Sequence, residues 1–123
     1  MKASLRFITR KSRGGISVRE TEVESNTLRA GRGNDCEIHL TDPRVLLHHA
    51  EFSLRSGDLY AAPSPGADLR LNGALTQMTR VAVGDKLKIG PYEVALDENA
   101  GGARIVLSVE LVQPLEDDLD DLV

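Results

Sequence analysis

"AGRGNDCEIHLTDPRVLLHHAEFSLRSGDLY", residues 30–60, decides the reading of the fold. Toward its end Ala50, Phe52 and Leu54 alternate with Glu51, Ser53 and Arg55, the period-two pattern of a half-buried strand. Near its start Cys36, Ile38 and Leu40 alternate with Glu37 and His39 in the same way. Gly57-Asp58 is a turn, and "LYAA" resumes an extended run. Gly31 and Gly33 flank Arg32. Such a turn uses glycine to reach positive φ, and it can also display a guanidinium for bidentate recognition of a phosphate or carboxylate. It is neither GxGxxG nor GxxxxGK[ST], and no helical pattern follows, so a nucleotide cradle is not expected.

The same punctuation continues outward. "ASLRFITR" places Leu5, Phe7 and Thr9 on one face and Ser4, Arg6 and Ile8 on the other, and "RKSRGG" turns it into "ISVRE" as a hairpin. "NTLRAGR" is a short strand running into Gly31. "DLRLNG" is a strand ending in the Asn-Gly turn dipeptide, "DKLKIG" and "YEVALDE" flank a Gly90-Pro91 turn, and "ARIVLSVELV" is the last and most β-branched run. No stretch carries an i, i+3, i+4, i+7 apolar stripe over three turns. Many short strands with frequent turns predict an all-β sandwich or barrel.

A chain of 123 residues suits one domain with a modest core, and aromatics at 3% make that core aliphatic. No apolar run reaches the roughly 18 residues of a membrane span, and the first residues lack the apolar stretch of a signal peptide. Five of the 19 acidic residues, Glu116, Asp117, Asp118, Asp120 and Asp121, fall in "PLEDDLDDLV", so the rest nearly balances the 15 basic ones. Charge therefore gives no case for nucleic acid. The division expected is a domain over 1–113 and an acidic tail or linker over 114–123, disordered because it has little to bury. Leu115, Leu119 and Leu122 among those acids could also dock on a basic groove.

Three histidines are present, His39, His48 and His49, and two are adjacent. Adjacent residues on a strand point to opposite faces, and zinc needs three or four converging ligands, so no metal site and no cofactor are expected. Cys36 is the single cysteine; it cannot close an internal disulfide, it reads as a small apolar residue, and it fits a reducing compartment such as the cytoplasm. No nucleophile motif frames Ser53 or Asp42 near the histidines, so catalytic residues are not expected and a small β-fold hydrolase is the disfavoured alternative.

Five landmarks stand in a fixed order: "GR", "NDCEIHLTDPRV" leading to "HAEF", a "DLY" strand, "NG", and "VAVGDKLKIGPYEVAL". Over about Leu5 to Val112 this order resembles the forkhead-associated (FHA) domain. The resemblance implies a β-sandwich of about eleven strands whose loops at one end bind phosphothreonine peptides. It implies that Gly31 and Arg32 are the family's Gly-Arg, with the arginine meeting the phosphopeptide. His49 becomes the histidine that braces the binding loops, Asn72 the asparagine that contacts the peptide backbone, and Gly73 its turn partner.

The chain departs from the family at the residues that would hold the phosphate. The serine position falls at Leu46, the following position, commonly Arg or Asn, at Leu47, and the position before Asn72, often Thr or Ser, at Leu71. A hydrogen bond to a charged group contributes roughly 1.5–3 kcal/mol, so losing two or three removes about 3–9 kcal/mol. A micromolar complex has only about 8 kcal/mol in all. Arg32 and Arg44, two residues before Leu46, could keep a weak anion site. The expectation is a degenerate pocket on a non-catalytic interaction module, binding a protein partner independently of phosphorylation or serving as a scaffold. The alternative is a weak phosphothreonine reader in Ser/Thr kinase signalling using Arg32, Arg44 and Asn72. Either reading suits one module of a longer multidomain protein, with a protein or phosphoprotein partner and no membrane insertion of this segment.

Overall fold

The computed structural model describes residues 1–113, and the expectations for the acidic tail lie outside them. Twelve strands follow in order: β1 (Lys2–Arg10), β2 (Ile16–Glu24), β3 (Thr27–Gly31), β4 (Ile38–His39), β5 (Ala50–Arg55), β6 (Asp58–Pro63), β7 (Leu69–Leu71), β8 (Ala74–Thr76), β9 (Thr79–Val81), β10 (Lys86–Ile89), β11 (Tyr92–Asn99) and β12 (Ile105–Leu111). They form a seven-stranded sheet, β2-β1-β12-β11-β10-β7-β8, facing a five-stranded sheet, β4-β3-β5-β6-β9. The all-β sandwich expected from the sequence is therefore the observed architecture. The strand count is twelve because β8 and β9, three residues each, arise where "ALTQMTRV" carries no clean alternation.

The core follows from the alternation. In β5, Ala50 and Phe52 point between the sheets while Glu51 points to solvent. Phe52 is fully buried and belongs to one core cluster with aliphatic residues of both sheets, including Leu28, Leu59, Leu87, Leu96 and Leu107. The last described strand lies inside the larger sheet, where β12 pairs parallel with β1 and antiparallel with β11. β2 lies outside the sandwich: it pairs only with β1 and is exposed nearly throughout, including Ile16 and Val18. Arg19 of β2 stacks over the Phe7 ring at 4.9 Å, which shields part of the overhanging β1 surface.

Three connections carry the candidate residues: residues 32–37 between β3 and β4, residues 40–49 between β4 and β5, and the Asn72-Gly73 turn between β7 and β8. In that turn Leu71 pairs with Ala74, and Asn72 and Gly73 have φ of 49° and 90°. Two central residues at positive φ make the type I′ hairpin that Asn-Gly encodes.

Candidate recognition face

The face is built on a backbone crossing. Arg32 N–H donates to the Leu46 carbonyl at 2.9 Å, and Gly33 N–H donates to the Leu47 carbonyl at 3.0 Å. The 40–49 connection thus lies directly on the end of β3. A Cβ on Gly31 would fall 2.2 Å from the Leu47 oxygen and 2.8 Å from its carbonyl carbon. Glycine is required at 31 by this contact rather than by an unusual φ. Leu40 N–H closes the other side by donating to the Gly31 carbonyl at 2.9 Å.

His49 ties three segments together. Its backbone N–H donates to the Ala30 carbonyl at 2.8 Å, which anchors it to β3. Its Nδ1 lies 3.2 Å from Leu46 N, and its Nε2 lies 2.8 Å from the Asp68 carbonyl oxygen. An N–H can only donate and a carbonyl can only accept. The ring is therefore the Nε2–H tautomer, accepting at Nδ1 and donating to Asp68. At 5% exposure, His49 is a satisfied, buried brace between the 40–49 connection and the segment leading to β7. His48, its neighbour, turns the other way and donates from Nε2 to Asp35 Oδ2 at 2.9 Å.

The two arginines are both engaged. Arg32 donates from Nε to the Val45 carbonyl, and its own carbonyl accepts from His39 Nε2 at 3.1 Å. Arg44 forms a fork on Asp42, Nε to Oδ1 at 2.9 Å and an Nη2 bond to Oδ2 at 3.0 Å, while Nη2 also donates to the Gln113 carbonyl. The Asp42 carboxyl is held below the usual aspartate range by the Arg44 side-chain hydrogen bonds, against the opposing effect of burial. Asp42 is fixed in turn, its backbone N–H donating to the Tyr92 hydroxyl at 3.2 Å.

Asn72, though exposed, spends its amide on neighbours within the chain. Its Nδ2 donates to Asp85 Oδ1 at 3.0 Å, and its Oδ1 accepts from Lys86 N–H at 2.9 Å. Asp85 also accepts from Ala82 N–H, the main reason its carboxyl sits below the usual range, with the Asn72 amide second. The three leucines separate. Leu46 and Leu47 are 40% and 59% exposed, whereas Leu71 is half-buried against the core.

One grouping was not foreseen from the sequence. Asp35, Cys36 and His48 present a carboxylate oxygen, the thiol sulfur and a ring nitrogen within 4.8 Å of one another. They come from two separate connections, and only the stacking of those connections brings them together. Burial pushes the Cys36 thiol up, helped by the charge of Asp35.

A two-sheet β-sandwich with two connections stacked on the end of one strand is the frame shared with a family of domains. The chain belongs to the FHA family: the FHA domain model matches residues 28–90, from Leu28 in β3 to the Gly90 turn after β10. Among solved structures, an FHA domain from a structural and functional analysis of phosphothreonine-dependent FHA domain interactions superposes with a TM-score of 0.56 at 24% identity, covering 63% of this chain and 81% of that one. The FhaA FHA domain, complexed with the intracellular domain of Rv3910, gives 0.55 at 25% identity, covering 61% and 84%. The FHA-2 domain of the Mycobacterium tuberculosis ABC transporter Rv1747 gives 0.57 at 22% identity, covering 63% and 73%. No curated protein sequence matches the chain. FHA domains are phosphopeptide-binding protein-interaction modules. No helix among the described residues is long and apolar enough to cross a membrane.

Proposed function

We propose that this FHA domain is a non-catalytic, cytoplasmic interaction module whose phosphate pocket is degenerate and whose partner binds without phosphorylation. The observation that carries the reading is the pair of solvent-facing leucines, Leu46 and Leu47, on the backbone that crosses Gly31. Neither can donate a hydrogen bond to phosphate, and seating a dianion beside them would strip its hydration without replacement. The commitment of Arg44 to Asp42 and Gln113 supports the same reading, since redirecting that guanidinium would uncover a buried carboxylate. Leu46 and Leu47 suit the apolar centre of a contact, and Arg32 and Asn72 its polar border.

The alternative, a weak phosphothreonine reader, rests on the partly exposed Arg32 beside the crossing and on a solved structure described in terms of phosphothreonine-dependent FHA domain interactions. The deciding experiment is an NMR titration of labelled protein with a degenerate phosphothreonine peptide library, its unphosphorylated counterpart and an Arg32→Ala control. The proposal expects no phosphate-dependent shifts up to millimolar peptide. Saturable shifts around Arg32, Arg44 and Asn72 that need the phosphate and vanish in the variant would overturn it.

A further inference from the structure

We propose that Asp35, Cys36 and His48 form a zinc-class divalent cation site that clamps the 32–37 connection to the 40–49 connection. Three donors of different chemistry converge there: a carboxylate, a thiol and an imidazole, all within 4.8 Å. In a tetrahedral zinc site, bonds of about 2.0–2.3 Å put neighbouring donors ~3.3–3.8 Å apart. His48 Nε2 already stands 2.9 Å from Asp35 Oδ2, and Cys36 Sγ stands 4.0 Å from Asp35 Oδ1. Closing on an ion thus needs small side-chain rotations and no backbone movement. A mixed nitrogen, sulfur and oxygen set suits zinc better than the hard cations magnesium and calcium, which take oxygen ligands.

The surroundings favour a real, reachable site. Asp35 and His48 are half exposed, so an ion can enter from solvent, while Cys36 is buried beneath them with its sulfur 3.4 Å from the Leu47 carbonyl. The backbone under the cluster is pinned: Cys36 N–H donates to the Gly33 carbonyl and Gly33 N–H to the Leu47 carbonyl. Three protein ligands leave a fourth position for water or another small donor.

Binding exchanges protons in a defined way. The Cys36 thiol releases its proton to solvent as sulfur bonds the metal, and the His48 ring proton, now on Nε2 toward Asp35, leaves that nitrogen for Nδ1. The charged groups facing the thiol are Asp35 and Glu37, which oppose its ionisation, and Arg29, which favours it. Arg29 Nη1 also lies 3.3 Å from Asp35 Oδ2 and competes with a cation for that carboxylate. Arg29→Gln removes that competitor and strengthens binding. Such binding is independent of what docks on Leu46 and Leu47.

The test is a cobalt titration of the chelator-treated 123-residue chain, followed by zinc displacement. The proposal expects saturation at one ion per chain with a sulfur-to-cobalt charge-transfer band in the near ultraviolet. Zinc should abolish the band, and Cys36→Ser should remove it. Because Cys36 is buried, the exposed variants His48→Gln and Asp35→Asn keep the test independent of folding. Each should weaken binding by about tenfold or more, at least what removal of a metal's supporting partner costs. No band at millimolar cobalt would overturn the proposal, as would an equal band in both exposed variants, which would mark capture by the thiol alone.

Discussion

Gly31 is the residue on which the recognition face turns. A methyl group there would press into the Leu47 carbonyl, a backbone group that cannot step aside alone. Gly31→Ala should cost about 3 kcal/mol, the upper part of the range for overpacking, read as a lower urea midpoint with an unchanged slope. His49→Ala should cost a similar amount for the opposite reason. It leaves the Leu46 N–H and the Asp68 carbonyl without their partner, at about 1–3 kcal/mol for each group that stays dry. His48→Ala, which loses only an exposed pair with Asp35, should stay within about 1 kcal/mol of the parent. The three measurements together separate the two adjacent histidines. The brace at His49 was legible only through its position in the family's pattern, since adjacency to His48 gives no hint of which ring turns inward. The Arg44–Asp42 fork was not legible, because Pro43 and the loop geometry decide where an i, i+2 pair points. The Asp35–Cys36–His48 grouping was invisible for a related reason: its members are distant in sequence and meet only when two connections stack.

Elements differ sharply in how much of the fold they carry. β12 is central, with partners on both sides and Ile105, Leu107 and Val109 buried, so Leu107→Ala should cost about 2–5 kcal/mol. β2 is an edge with Val18 half exposed, and Val18→Lys should change stability by no more than about 0.5 kcal/mol. Paired chemical denaturation of the two variants checks the contrast. The edge is lined with Arg19, Glu20, Glu22 and Glu24, charges that discourage a second chain from adding to it. The long strands β1, β5 and β11 were readable because each alternates over six or more residues, and β12 because it is the most β-branched run. β8 and β9 were not, because three-residue strands carry too few side chains to show a period, and their pairing is imposed by the sheets already present.

At the scale of the whole molecule, acid tests the polar scaffold. Asp42, Asp85 and Asp35 all hold their protons less tightly than free aspartate, through Arg44, the Ala82 N–H and His48 respectively. A carboxyl whose folded value is depressed adds stability that is complete above the unfolded value, about pH 4, and is lost as pH falls through the folded value. Urea midpoints should therefore be flat above about pH 5 and decline below pH 4, and Asp42→Asn should make that decline shallower. Function at this scale is also testable by restoration. If the leucines alone blunt the pocket, Leu46→Ser with Leu71→Thr should raise affinity for a phosphothreonine library about tenfold or more, the worth of one charged hydrogen bond, by the same NMR titration.

The crossing at Gly31 has one more consequence. At Leu46 and Leu47 the tie to the end of β3 is made between main-chain groups, from the Arg32 and Gly33 N–H to the two carbonyls, while the His49 ring takes the Leu46 N–H. A main-chain carbonyl is the same in every amino acid. These two ties therefore survive a change of side chain at 46 or 47, so substitution there can alter the exposed surface while leaving the crossing in place.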